Sequence, residues 1–192
     1  MSKCLARSVV LATAIQLSVA ATADAQVFTP SYLAPRQSSD VGVYLSDGPG
    51  SFAAEGIWRR SMGEFDFGLR AGVADADEIS FMIGADYRNP LPLGAPLDIS
   101  VTGGAQAILG DLSALGVAAG LSAGHTFSMP GLSFTPYLHP QIGLVEGGDD
   151  ELELDLLADF GLDIHAGPRL DLRFGFGLDA PQSNWGVGFT WR

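Results

Sequence analysis

From Phe65 to Arg88 the chain keeps a two-residue period. Phe65, Phe67, Leu69, Ala71 and Val73 alternate with Asp66, Gly68, Arg70 and Gly72. Beyond Asp75-Ala76-Asp77-Glu78, Ile79, Phe81, Ile83, Ala85 and Tyr87 alternate with Ser80, Met82, Gly84, Asp86 and Arg88. A helix at about 3.6 residues per turn would mix the two sets on every face, whereas a strand separates them. The stretch predicts a hairpin with one apolar face and one face of small or charged side chains.

The same period recurs almost to the last residue. Val41 to Ser46 and Phe52 to Trp58 form two short alternating runs around the turn Asp47-Gly48-Pro49-Gly50. Leu97 to Leu109 and Leu115 to Gly124 flank Gly110-Asp111, a two-residue hairpin signal. Phe134 to Leu144 alternates but contains Pro136 and Pro140, which predicts a strand that is bulged or poorly paired on one side. Leu152 to His165 places a leucine or other apolar residue at every second position with acids between, and Leu170 to Asp179 and Trp185 to Trp191 complete the set. The sum is ten candidate strands over residues 41–192, with no room for helices. Several exceed the ~5–6 residues usual in soluble sheets and supply the ~9–11 that a tilted membrane strand needs.

The amino-terminal part reads differently. Lys3 and Arg7 precede a mostly apolar run from Ser8 to Ala21, and Ala23-Asp24-Ala25 offers small residues for cleavage, so residues 1–25 are expected to be a cleaved export signal. The apolar run is shorter than the ~20 residues of a membrane helix. Cys4 is the single cysteine and lies upstream of that run, which argues against a lipid anchor and leaves the mature chain without disulfides or cysteine metal sites. Residues 26–40 carry Pro30 and Pro35 and no clear period, as an extended leader or a short plug would.

Composition decides which face points out. Removing Lys3, Arg7 and Asp24 takes ten basic and 22 acidic residues to eight and 21, a formal charge of −13 with no lysine, a balance that excludes nucleic acid as a partner. The non-apolar face holds mainly glycine, alanine and serine with a limited set of acids and arginines, which makes poor soluble surface but fills a narrow barrel interior. The expected fold is all-β: a closed antiparallel up-and-down transmembrane β-barrel of ten strands, or eight if residues 41–60 do not complete the wall. Its lumen is expected to hold a charge network of Glu64, Asp66, Arg70, Asp86, Arg88, Asp159, Asp163, Arg169, Asp171 and Arg173. Trp58, Tyr87, Trp185, Phe189 and Trp191 are expected at the membrane interface.

An export signal, ten alternating segments and a final Trp185-x-Val187-x-Phe189-x-Trp191 strand resemble the small bacterial outer-membrane β-barrel proteins. The resemblance covers the mature chain as a pattern. It implies residence in the outer membrane among its lipids as a monomer, and recognition of the last strand by the barrel assembly machinery. The family usually ends on the aromatic residue, whereas Arg192 follows Trp191 here.

Catalytic signals are sparse. Asp163-Ile164-His165 and Asp75-Ala76-Asp77 resemble the two halves of the omptin protease site, but the strand order puts them at opposite ends of the barrel, beyond hydrogen-bond reach. Lipid A deacylase barrels carry a membrane-facing His and Ser two residues apart, and position 127, two after His125, is phenylalanine. His139 is expected to form hydrogen bonds in the lumen, and no histidine pair has metal-ligand spacing. Asp149-Asp150-Glu151 reads as a solvated loop, and no cofactor is expected. The function expected is therefore a non-enzymatic outer-membrane barrel, structural or a narrow cation-preferring channel. The alternatives are an outer-membrane hydrolase using Asp163 and His165, and a soluble secreted barrel binding an apolar ligand.

Overall fold

In the computed structural model the described residues are 28–75, 79–93, 96–110, 113–146, 152–179 and 182–192. The expected signal at 1–25, Asp77, Asp111 and the acids at 149–151 lie outside them. The alternating segments become strands β1 (Asp40–Ser46), β2 (Phe52–Met62), β3 (Phe65–Asp75), β4 (Ile79–Leu91), β5 (Asp98–Leu109), β6 (Ala114–Gly124), β7 (Phe127–Met129), β8 (Leu132–Glu146), β9 (Leu152–Ala166), β10 (Leu170–Asp179) and β11 (Gln182–Trp191). No helix occurs among the described residues.

Every pairing is antiparallel, and each strand follows its sequence neighbour around the sheet. The sheet closes because β1 pairs with β11, from Val41 opposite Trp191 to Ser46 opposite Gly186. The wall has ten members, since β6 pairs directly with β8 and β7 continues β6 in the same register. Residues 41–60 are part of this wall, which rules out the eight-stranded alternative.

The seam between β6 and β8 follows from the two prolines. Pairing along β6 runs from Leu115 to Gly120, lapses at Leu121 and Ser122, resumes at Ala123 and Gly124, and breaks again before Phe127. The gaps lie opposite Pro140 and Pro136, which have no N–H to donate. On its other edge β8 pairs without interruption with β9, Leu132 opposite Ala166 through Glu146 opposite Leu152. The expected one-sided weakness is thus an interruption of one ladder. The turn expected at Gly110-Asp111 is longer than two residues, because β5 ends at Leu109 and β6 begins at Ala114.

Side chains sort by parity. Phe81, Leu154, Leu156 and Ile142 point outward and are 55–76% exposed, while Asp66, Ser100, Ser122, Thr135 and Thr190 point inward and are buried. This arrangement rules out the soluble barrel with an apolar interior, whose pattern would be inverted. An apolar outer band on strands that, apart from the seven-residue β1 and the short β7, have 10–15 residues, around a polar interior, makes the fold a transmembrane β-barrel. Trp58, Tyr87, Trp185, Phe189 and Trp191 all face outward. Trp191 ends β11 beside the start of β1, and Trp185 lies toward the opposite end. We call the end that carries Asp40 and Trp191 the near end and the other the far end.

Leu138, Phe160 and Phe176 form a row of direct neighbours at mid-height on the outer surface. Replacing Leu138 with arginine is expected to cost about 2–4 kcal/mol of folding free energy in a bilayer, as charges on the lipid face near the midplane do. Denaturant titration in lipid vesicles measures it, and Leu132→Arg, on the same outward face at the near end of the strand, should cost less.

Candidate functional site

The interior is built around four guanidiniums, each held by carboxylates of the wall. Arg88 and Asp66 are direct cross-strand partners, and Arg88 Nε lies 3.1 Å from Asp66 Oδ2. Arg70 reaches diagonally to Glu55 with Nε and Nη2 at 2.9 and 2.7 Å from its two oxygens. Arg59 on β2 makes a two-pronged bridge to Asp86 on β4, at 3.1 and 3.0 Å, across the intervening strand β3. The residue it crosses is Gly68, where a Cβ would collide with the Asp86 carboxylate. Arg173 likewise crosses Gly188 of β11 to donate to Asp40 at 2.6 Å and to the Tyr44 hydroxyl at 3.0 Å on β1. Asp163, its direct partner on β9, adds a contact at 3.3 Å.

The structure places other expected network members elsewhere. Glu64 and Arg169 lie exposed in near-end turns, outside the cluster. Asp171 is buried but sits at the near mouth, where its Oδ1 is 2.9 Å from His165 Nδ1 and 2.5 Å from Arg192 Nη2. His165 therefore has Asp171, and not Asp163, as its carboxylate partner, which removes the pairing on which the hydrolase alternative was drawn. Asp75 ends β3 at the far end, as the strand order requires. His139 is fully buried between Ser31 Oγ and Thr102 Oγ1, at 2.8 and 2.6 Å. His125 is exposed, with Nδ1 2.8 Å from the Pro96 carbonyl oxygen.

Sequence reasoning missed Asp40, Glu55 and Arg59. Parity is the available signal, since Ala53, Glu55, Ile57 and Arg59 continue one face of β2 past Trp58, and Asp40 precedes Gly42, Tyr44 and Ser46 on the inner face of β1.

The largest occupant of the lumen is the segment 28–39. Thr29 to Pro35 are buried, and the chain descends from Phe28 in the far half to Asp40 at the near end before turning into β1. Side chains of the wall grip its backbone. Asn184 Nδ2 donates to the Phe28 carbonyl at 2.8 Å, Arg70 Nη2 to Pro30 at 3.2 Å and Ser122 Oγ to Leu33 at 2.5 Å. Arg88 and Ser100 donate to the carbonyls of Ala34 and Pro35. The amides of Ser31 and Ser38 donate to Asp159 Oδ2 and Asp66 Oδ2 at 3.0 and 2.9 Å.

Wall glycines leave the room. A Cβ on Gly116 would lie 2.5 Å from the Phe28 ring, and one on Gly175 2.6 Å from Pro30 Cβ and 3.0 Å from the Tyr32 ring. A Cβ on Gly186 would collide with the Tyr32 hydroxyl in the same way, and the Tyr32 ring packs tilted against Tyr44 with centroids 4.4 Å apart. Beside Thr29 and Ser31 the lumen keeps a cavity of only about 40 Å³, enough for a few water molecules. A vestibule of about 520 Å³ opens at the near end between 34–39 and the wall at Thr126, Thr135, Asp163 and Arg173.

No family model matches the chain, and no curated protein does. Among solved structures it is similar to a bacterial polysaccharide outer membrane secretin, at 11% identity and a TM-score of 0.47 over 73% of this chain and 55% of that one. The chain thus spans about half the length of that protein. The KdgM porin in complex with disordered oligogalacturonate is similar at 11% identity and a TM-score of 0.46, over 80% of this chain and 97% of the porin. A structure from the de novo design of transmembrane β-barrels gives 15% identity and a TM-score of 0.40 over 81% and 97%.

Replacing Arg88 with methionine would strand the buried Asp66 carboxylate, and the expected cost is about 3–5 kcal/mol. Pairing it with Asp66→Asn should recover part of that loss, read as the coupling energy of a double-mutant cycle in vesicle unfolding.

Proposed function

We propose that the chain is an integral bacterial outer-membrane barrel, non-enzymatic, whose lumen is closed at rest by 28–39 and passes small cations when that segment is displaced. The observation that carries this reading is the segment itself, which fills the axis of the wall and sits against the glycines at 116, 175 and 186. In the closed state the barrel is a structural component of the membrane. The near end, with its short turns and the end of the last strand, faces the periplasm in this reading, and Trp185, Phe189 and Trp191 present the outward aromatics that the assembly machinery would read.

Cation preference rests on charge. Among the described residues the buried interior set contains seven carboxylates, Asp40, Glu55, Asp66, Asp86, Asp159, Asp163 and Asp171, against Arg59, Arg70, Arg88 and Arg173. An unplugged water column would lie in a field of net negative sign, which concentrates cations and repels anions.

Planar-bilayer recording tests the proposal. The intact protein should be nearly silent, and a variant lacking 28–38 should conduct with a reversal potential that favours cations in a salt gradient. Anion preference, or large steady currents through the intact protein, would contradict it. Asp159→Asn with Asp163→Asn in the shortened barrel should reduce the cation preference.

A further inference from the structure

We infer that the lumen is a binding site for a peptide, and that residues 28–39 occupy it as a detachable ligand and not as part of the fold's core. The inference builds on the closed-lumen reading and names the chemical class that the lumen takes.

Three observations carry it. First, among the described residues 28–39 share no backbone-to-backbone hydrogen bond with the wall. The segment is not a strand of the sheet, and wall side chains supply the hydrogen bonds to its backbone. Donors from Asn184, Arg70, Ser122, Arg88 and Ser100 meet five carbonyls, and carboxylates of Asp159 and Asp66 accept from two amides. Contacts to main-chain groups recognise a peptide as such, whatever its side chains.

Second, the wall is complete without its occupant. Each of Arg59, Arg70, Arg88 and Arg173 has a wall carboxylate of its own, and the ladder closes through β1 and β11. Withdrawal of the segment would return spare N–H groups and carboxylate oxygens to water without leaving any of these four guanidiniums unpaired.

Third, side-chain selectivity is built into the sockets. Phe28, Pro30 and Tyr32 fit above Gly116, Gly175 and Gly186. Pro30 and Pro35 also lack amide hydrogens, so the segment brings fewer donors into a space that offers more donors than acceptors to its backbone. The ligand class is a peptide that is non-helical and not strand-paired, with two aromatic residues four positions apart, a proline between them and a left-handed backbone (φ 50°) at the second aromatic. The Tyr32 hydroxyl lies over Gly186 but has no hydrogen-bond partner among the described residues, so what holds the side chain there is packing and not a hydrogen bond.

Because the tether keeps the segment at a high effective concentration, exchange must be measured after the connection is cut. A protease recognition sequence inserted between Ser39 and Asp40 lets the barrel assemble with its segment in place before cleavage in detergent. A fluorescein-labelled peptide of residues 28–39 should then exchange into the cleaved barrel, raising its anisotropy. The Tyr32→Phe peptide should bind equally well and the Tyr32→Ala peptide at least about tenfold more weakly. A scrambled peptide that binds as tightly would overturn the proposal. So would a segment that never exchanges against excess peptide, or one whose release abolishes the heat-modifiable gel mobility of the folded barrel. A barrel that exchanges the peptide yet passes no current would refute the channel and leave the binding site standing.

Discussion

A closed sheet with hydrocarbon outside has to turn the charges at the depth of the hydrocarbon to its inner face, and a charge there survives only with a partner. The interior of this barrel is organised by that requirement. Its four buried guanidiniums lie on β2, β3, β4 and β10, and each finds a carboxylate within one or two strands. The resulting bridges tie neighbouring and next-neighbouring strands together from inside, adding to the backbone ladder a second set of cross-links that depends on register. A shift of one residue would turn Asp66 and Arg88 to the lipid and Phe67 and Tyr87 to the lumen, so the charges specify register as strongly as the apolar residues do.

Glycine sets the reach of those bridges. The link from Arg59 to Asp86 spans a strand because position 68 has no side chain, and the link from Arg173 to Asp40 and Tyr44 spans another because position 188 has none. A residue with a Cβ at either position would confine each guanidinium to its immediate neighbour. The same property at Gly116, Gly175 and Gly186 opens sockets for the segment on the axis. The inner glycines therefore do two jobs with one physical cause, the absence of volume where something larger must pass.

Much of this was legible in the sequence. The two-residue period gave the ten-membered wall, its antiparallel order and the outward direction of Phe81, Leu154 and the aromatic residues, because strand parity is a local property. Pro136 and Pro140 mark the weak ladder in the sequence itself, since a missing donor is also local. What the period could not give was partner choice across a strand. Arg59 lies just past Trp58, where the apolar alternation of that run ends although β2 continues to Met62, and Glu64 and Arg169 share the inward parity but lie in turns, because parity alone does not say where a strand stops. The swap of Asp171 for Asp163 beside His165 has a similar origin, as both acids face inward and only the register of β9 with β10 sets His165 opposite Asp171.

The segment 28–39 is where local reasoning left two alternatives, leader or plug, and volume resolves them. Ten strands enclose a wider cylinder than the eight whose side chains just fill the interior. Here many of the inward positions carry glycine, serine or threonine, so the wall supplies less volume than its circumference demands. Water could fill the difference, but Asn184 in the far half and Ser122 and Ser100, direct partners in the near half, donate to carbonyls spaced along the segment at Phe28, Leu33 and Pro35. A polypeptide with a carbonyl at each residue and aromatic rings to occupy the glycine hollows matches that surface better than a column of solvent. The excess of empty space on the inner face and the aperiodic, proline-bearing stretch just before β1 are thus two halves of one requirement, visible in the sequence only when taken together.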